Sequence, residues 1–105
     1  MDFDEDEKYI DSFYCAWEDS IQLVGRMYVT SQKLIFKSHF NGRNIFFDDT
    51  ILKIPLRDII KIEKKKNAII FDNSLLITTI KANLFFASFV YRDKAYTLIH
   101  NQLEH

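Results

Sequence analysis

The sequence predicts a mainly β domain in which about seven short antiparallel strands form a small, partly open barrel or two nearly orthogonal sheets. One C-terminal helix is expected to cover an open end. Turn-forming residues recur at short intervals, the segments between them have strand length, and this pattern changes only after Val90. With 105 residues, 48% hydrophobic and 15% aromatic, the chain supplies enough apolar area for one packed core.

Each predicted strand lies between two turn signals and is rich in residues that suit a pleated, half-buried surface. The clearest alternation is in segment 21–29, where Leu23, Gly25 and Met27 share one face and Gln22 and Arg26 share the other. Such alternation is typical of a half-buried antiparallel sheet. The predicted strands are 12–17, 21–29, 34–39, 51–54, 59–63, 74–80 and 84–90.

The C-terminal segment predicts the helix. Ala95, Leu98 and Ile99 recur at spacings of three and four, and Asp93 stands where a carboxylate favours a helix amino terminus. Residues 103–105 are typical of vector sequence ahead of a purification tag and are left out of the functional reasoning. We therefore expect an acidic, flexible segment over 1–10, one domain over 11–102 and a tag remnant over 103–105.

Charge is divided unequally along the chain. Residues 1–20 hold eight acids and one lysine, whereas residues 21–105 hold 13 basic and 7 acidic residues. The mildly basic body favours an anionic partner, such as a phospholipid surface or an acidic peptide. Alternatively, the acidic head simply neutralises the body or is a solvated tail, and composition alone does not decide between these interpretations.

Several function classes lack support. No apolar run approaches the roughly 20 residues that span a bilayer, and the acidic amino end is unlike a secretory signal. Cys15, the single cysteine, permits no internal disulfide or Cys-rich zinc site and is predicted to be a small buried hydrophobe. His39 and His100 have no partner at metal-ligand or nucleophile–base spacing. We therefore expect a monomer without catalytic residues, cofactor, metal or nucleic-acid partner, the last because the pI is near 6.3.

Three ordered blocks carry a resemblance to a known family. They are FYCAW with IQLVGRMYVT (13–30), LIFKS with IPLRDI (34–59), and NSLLITT with FFASF and RDKAY (73–96). These blocks resemble the GRAM domain, a subgroup of the pleckstrin-homology superfold found in Aster and Lam sterol-transfer proteins. The resemblance covers residues 13–99 and implies a pleckstrin-homology-like, seven-stranded barrel capped by the helix.

The resemblance also implies a function. The module would be non-catalytic, would belong to a fungal sterol-transfer protein anchored in the endoplasmic reticulum, and would associate with anionic lipid membranes at contact sites on the cytosolic face. Sterol is expected to bind a separate domain of the parent. The alternative is a protein-docking module that recruits a contact-site partner through an apolar loop or an exposed strand edge.

Two surfaces are candidates for membrane contact. The first is the basic cluster of Lys61, Lys64, Lys65 and Lys66, predicted at a strand end that enters a turn. Each lysine near an anionic leaflet contributes about 1 kcal/mol, so the cluster would concentrate the domain there without headgroup specificity. The alternative for this cluster is a solvated turn.

The second candidate surface is segment 40–49, which is longer than the corresponding turn of the family. It carries Arg43 and three apolar residues, Ile45, Phe46 and Phe47. At a loop tip, these apolar side chains would insert among headgroups or dock on a protein. Alternatively, Ile45 to Phe47 form an extra strand with rings in the core. A basic patch combined with an apolar tip suits reversible membrane attachment, since neither contribution alone is large.

Four further residues are assigned architectural roles. Gly25 permits a bulge or a close backbone approach, and Pro55 suits a strand end or edge. Arg92 is expected to pair with Asp93, which favours the helix start. The first hairpin turn is acidic where phosphoinositide-binding pleckstrin-homology domains carry basic residues, which argues against a conventional inositol-phosphate pocket.

Overall fold

A computed structural model describes residues 6–38, 50–67 and 71–104 of the chain. Within these ranges seven strands pair antiparallel in the order β4-β3-β2-β1-β7-β6-β5, and a helix follows. This confirms the predicted fold class. The elements are β1 (Tyr9–Glu18), β2 (Gln22–Thr30), β3 (Lys33–Ser38), β4 (Ile51–Pro55), β5 (Ile59–Asn67), β6 (Phe71–Thr79), β7 (Asn83–Ala87) and α1 (Arg92–Leu103), with a 3-10 turn (Leu56–Asp58) between β4 and β5.

The core is built from one face of the sheet and closed by the helix. Trp17, Phe36 and Phe86 bring β1, β3 and β7 together with ring centroids 5.6 to 6.4 Å apart. The helix contributes Ala95 and Ile99, both fully buried in the same cluster. Because each large apolar side chain contributes about 1.5 to 3 kcal/mol when fully buried, this cluster is a main source of stability.

The folded body begins earlier than the expected boundary at residue 11. Strand β1 already starts at Tyr9. Glu7 is buried, with the Thr30 hydroxyl donating to its carboxylate and Lys33 Nζ 2.8 Å from it. These contacts fasten the residues before β1 to the β2–β3 hairpin.

Two strand ends also differ from expectation. Strand β5 continues to Asn67, four residues beyond the predicted end, whereas β7 stops at Ala87 instead of residue 90. Ser88 has a φ of 59°, in the left-handed region, which turns the chain out of β7. As a result Phe89 enters the core and Val90 stays outside.

The two backbone predictions for Gly25 and Pro55 are confirmed. A Cβ atom on Gly25 would lie 2.2 Å from the Lys37 carbonyl oxygen and 2.7 Å from Ser38 Cα, so β2 and β3 approach too closely for any side chain. Pro55 ends β4, the strand at one end of the sheet order, where its missing donor is tolerated.

Candidate membrane-binding site

The four predicted lysines lie within the edge strand β5, with Lys64, Lys65 and Lys66 close to its carboxyl end. They alternate between the two faces of the strand, so the basic cluster lies around this edge of the sheet and not on a single face. Lys61 and Lys65 share a face with Glu63, whose carboxylate oxygens lie 2.8 Å and 3.1 Å from the two ammonium groups. Hydrogen bonds from Lys61 and then Lys65 lower the pKa of Glu63, which keeps this carboxylate charged.

The other face of β5 turns towards the helix. Lys64 Nζ lies 3.2 Å from Asp93 Oδ1 and 5.0 Å from the centroid of the Tyr96 ring, so this lysine links β5 to α1. The hydrogen bond from Arg92, followed by that from Lys64, lowers the pKa of Asp93. Lys66 is exposed and has no ion pair among the described side chains.

Arg92 positions the start of the helix. Its side chain is buried, Nη1 donates to the carbonyl oxygens of Lys65 and Ser74 at 3.1 Å each, and Nε donates to Asp93 at 2.7 Å. The predicted local pair with Asp93 is therefore confirmed, and the bonds to β5 and β6 are a finding of the structure. They hold the turn before α1 against the lysine-bearing end of β5.

The turn between β7 and α1 carries two apolar side chains in water. Val90 is 62% exposed and Tyr91 is 66% exposed. Sequence reasoning missed both, because it assigned Val90 to the last strand and Tyr91 to the helical segment. The available signal was an apolar pair directly before the Arg92–Asp93 helix start. The structure thus brings an exposed apolar turn beside the basic strand end. We call this the lysine–turn surface, formed by Lys61, Lys64, Lys65, Lys66, Val90 and Tyr91.

The second predicted surface is segment 40–49, which the structure does not describe. Arg43, Ile45, Phe46 and Phe47 lie outside the described residues, and their membrane role stays a prediction. The lysines of β5 also have an architectural consequence, since charged side chains on an edge strand discourage pairing with other chains.

The described residues contain no helix that is long and apolar enough to cross a membrane. They also contain no group of three or more histidine, cysteine or acidic side chains arranged to hold a metal ion.

The cysteine provides a test of the packed core. Cys15 is 3% exposed, and burial raises the pKa of its thiol to about 12. Because the thiolate is the nucleophile, we expect folded protein at pH 8 to resist iodoacetamide and the chain in guanidinium chloride to react fully, as measured by intact mass. Native labelling as fast as denatured labelling would contradict this packing.

The seven-stranded antiparallel sheet and its C-terminal helix define a pleckstrin-homology-like fold. The model of the GRAM domain matches residues 1–105, and the chain belongs to this family. This confirms the resemblance noted in the sequence. Domains of this family and fold are generally non-catalytic binding modules.

Curated relatives are much longer than this chain. A Schizosaccharomyces pombe protein called an uncharacterized membrane protein is 39% identical over 94 residues, covering 90% of the chain and 12% of the relative. Human Aster-B is 33% identical over 93 residues, with 89% and 12% covered. Mouse GRAM domain-containing protein 2B is 30% identical over 105 residues, covering 100% of the chain and 22% of the relative.

Two solved structures share the fold. The C-terminal domain of an unknown protein from Leishmania infantum superimposes with a TM-score of 0.81 at 28% identity, covering 94% of this chain and 86% of that one. The N-terminal PH domain of Vps36 gives a TM-score of 0.72 at 13% identity, with 97% and 83% covered. At that identity the second similarity supports the fold alone.

Proposed function

We propose that this domain is a targeting module that attaches its parent protein to anionic phospholipid membranes through the lysine–turn surface. The observation that carries the proposal is the convergence of the lysine-bearing end of β5 with the exposed Val90–Tyr91 turn, held together by Arg92. An apolar insertion and a basic patch are the two signals that reversible membrane attachment requires.

The charges at this surface explain why both signals are needed. Two carboxylates, Glu63 and Asp93, each lie beside two cationic groups, and Lys94 Nζ is 3.6 Å from Asp11. The surface therefore keeps a positive excess of a few charges, each contributing about 1 kcal/mol near an anionic leaflet. Burying one large apolar side chain adds a contribution of similar size, about 1.5 to 3 kcal/mol.

The finer part of the proposal concerns the parent protein. Its relatives extend far beyond the aligned region, and one of them is called a membrane protein. The resemblance to Aster and Lam proteins supports a parent that transports sterol and is anchored in the endoplasmic reticulum. On this proposal the domain acts on the cytosolic side and directs that parent to membrane contact sites.

Co-sedimentation with vesicles tests the charge contribution. The double variant Lys65→Glu, Lys66→Glu is expected to bind phosphatidylserine-containing phosphatidylcholine vesicles at least about tenfold more weakly, since two charges change sign and the net charge near the leaflet falls by about four units. Raising the salt concentration should weaken binding of the unmodified chain. Lys64 is left unchanged because it supports the helix. Lys81→Glu, on the β6–β7 turn, is the matched control and should bind as the unmodified chain does.

The apolar contribution has its own test in the same assay. Val90→Ser combined with Tyr91→Ser should weaken vesicle binding about tenfold while leaving its salt dependence in place. Ile80→Ser is the matched control, because Ile80 is equally exposed, at 65%, but follows the last residue of β6, whereas the helix start contacts Ser74 near the first. If the unmodified chain fails to bind at low salt, the protein-docking alternative replaces this proposal.

A further inference from the structure

Among the described strands, β4 forms one edge of the sheet. This strand pairs with β3, and none of the described strands pairs with its other side. The opposite edge, β5, is protected by its lysines and by register shifts at Ile59/Lys61 and Lys65/Asn67. Strand β4 has no such shift in its pairing, and only Pro55 at its end lacks a donor.

The hydrogen-bond pattern shows which groups of β4 point outward. The Ser38 N–H donates to the Thr50 carbonyl, and the Leu56 N–H donates to the Gln32 carbonyl, each at 2.9 Å. Along an antiparallel ladder, hydrogen-bonded residue pairs alternate with pairs that are not hydrogen-bonded. Thr50 and Leu56 both take part in bonds to β3 or the turn before it, and both are even-numbered, so the two bonds fit one alternation. The even-numbered positions of β4 therefore bond to β3.

The odd-numbered positions consequently direct their backbone groups away from the sheet. Among the described residues, no backbone partner is found for the N–H and carbonyl oxygen of Ile51 and Lys53, and Pro55 offers a carbonyl oxygen alone. Three successive outward positions are enough for a short added strand to form several backbone hydrogen bonds. Lys53 stands at the centre of this edge.

Two clefts flank the edge, and their chemistry differs. One, of about 360 Å³, lies between β4 and the β6–β7 turn, has Leu52, Ile54 and Leu84 in its wall, and also contains the carboxylate of Asp58 and the ammonium of Lys81. It would take an apolar side chain.

The second cleft, of about 470 Å³, lies on the opposite face of β4 and is cationic. Lys33, Lys53 and Arg57 line it, and Lys33 already holds Glu7. Lys53 and Arg57 are exposed and have no carboxylate partner among the described residues. This pair would take an acidic side chain.

We propose that the edge of β4 accepts an extended peptide segment of a partner protein as an additional antiparallel strand, in which acidic and apolar residues alternate. Side chains of a strand point to opposite faces in turn, so alternate residues would enter the apolar cleft and approach Lys53 and Arg57. A peptide residue directly opposite a β4 residue places its side chain on the same face of the sheet. The acidic residues would therefore lie opposite Ile51 and Lys53 and form the backbone hydrogen bonds to them. This site is separate from the lysine–turn surface and does not depend on membrane binding.

Fluorescence polarisation with a short fluorescein-labelled peptide of alternating valine and aspartate tests the proposal. Methylation of the aspartate backbone nitrogens should weaken binding at least about tenfold, whereas methylation of the valine nitrogens should change it less than about twofold. A peptide of the same composition with the two residue types in separate blocks should bind at least about tenfold more weakly. Equal effects of the two methylation patterns, the reverse order, or no saturable binding would overturn the proposal.

Variants of the edge strand give the matching test on the protein. Lys53→Pro removes the outward donor without touching the ladder to β3, and should lose at least about tenfold more affinity than Lys53→Gln, which removes the charge alone. If Lys53→Pro does not fold, Ile51→Pro compared with Ile51→Ala gives the same contrast. Equal affinities within a pair would refute strand addition. Self-association of the chain would assign the edge to a second copy and would also overturn the proposal. Peptide binding that appears only after residues 1–5 are deleted would assign the edge to the acidic head, with the same consequence.

Discussion

Gly25→Ala is expected to lower the free energy of unfolding by about 3 kcal/mol, at the upper end of the usual cost of overpacking. The added Cβ would meet backbone atoms of Lys37 and Ser38, which cannot move aside without separating β2 from β3. Since domains of this size are stable by only about 5 to 15 kcal/mol, the variant loses a large share of its stability. At an unobstructed position, the same substitution would instead stabilise the chain by about 0.4 to 1 kcal/mol.

Urea denaturation followed by the fluorescence of Trp17, the single tryptophan, measures this effect. In thermal unfolding, the melting temperature of Gly25→Ala should fall by roughly 12 °C. Val24→Ala is the control, because it changes the neighbouring residue on the exposed face of the same strand and should stay within about 0.5 kcal/mol of the unmodified chain. A Gly25→Ala variant as stable as this control would show that β2 and β3 are not in close contact there.

Arg92→Met is expected to destabilise the domain by about 3 kcal/mol. The methionine fills much of the same space but removes the donors to the Lys65 and Ser74 carbonyl oxygens. Both acceptors lose a charged partner at a place where the arginine side chain is only 6% exposed. The helix start would then separate more readily from β5 and β6.

Hydrogen exchange and urea denaturation together test this role. The free energy of unfolding should fall, and amides in the first turn of α1 should lose protection. Arg92→Lys, which keeps the charge but not the fork of donors, should give an intermediate loss. Asp93→Asn removes the exposed partner of the same arginine and is expected to cost under about 1 kcal/mol. Unchanged stability in Arg92→Met would show that the cross-strand bonds contribute little.

The seven strands were predictable because strand alternation is a local property. Apolar positions two residues apart identify a strand wherever one face is buried, as in segment 21–29. The end of β5 was not predictable in this way. Lysines at positions 64–66 have low strand propensity, and pairing with β6 overrides that preference, with Lys64 opposite Leu75 and Lys65 opposite Ser74.

The candidate site was predictable in part. The four lysines are visible in the sequence, but their division between two faces, with Glu63 on one and Asp93 on the other, depends on strand register and on helix packing. The apolar part was harder, because Ser88 ends β7 early and leaves Val90 and Tyr91 in a turn. A positive φ at serine has no reliable signature in a single sequence.

By itself, the sequence determined the mainly β class, the single terminal helix and the resemblance to GRAM domains, because alternation, helical spacing and motif order are all written along the chain. The folded structure alone decided that Arg92 joins α1 to β5 and β6, that lysines and exposed apolar residues meet at one surface, and that β4 is an edge among the described strands. These features join residues far apart in the chain. Their geometry depends on how strands pair and how the helix packs across them, and no local pattern records either.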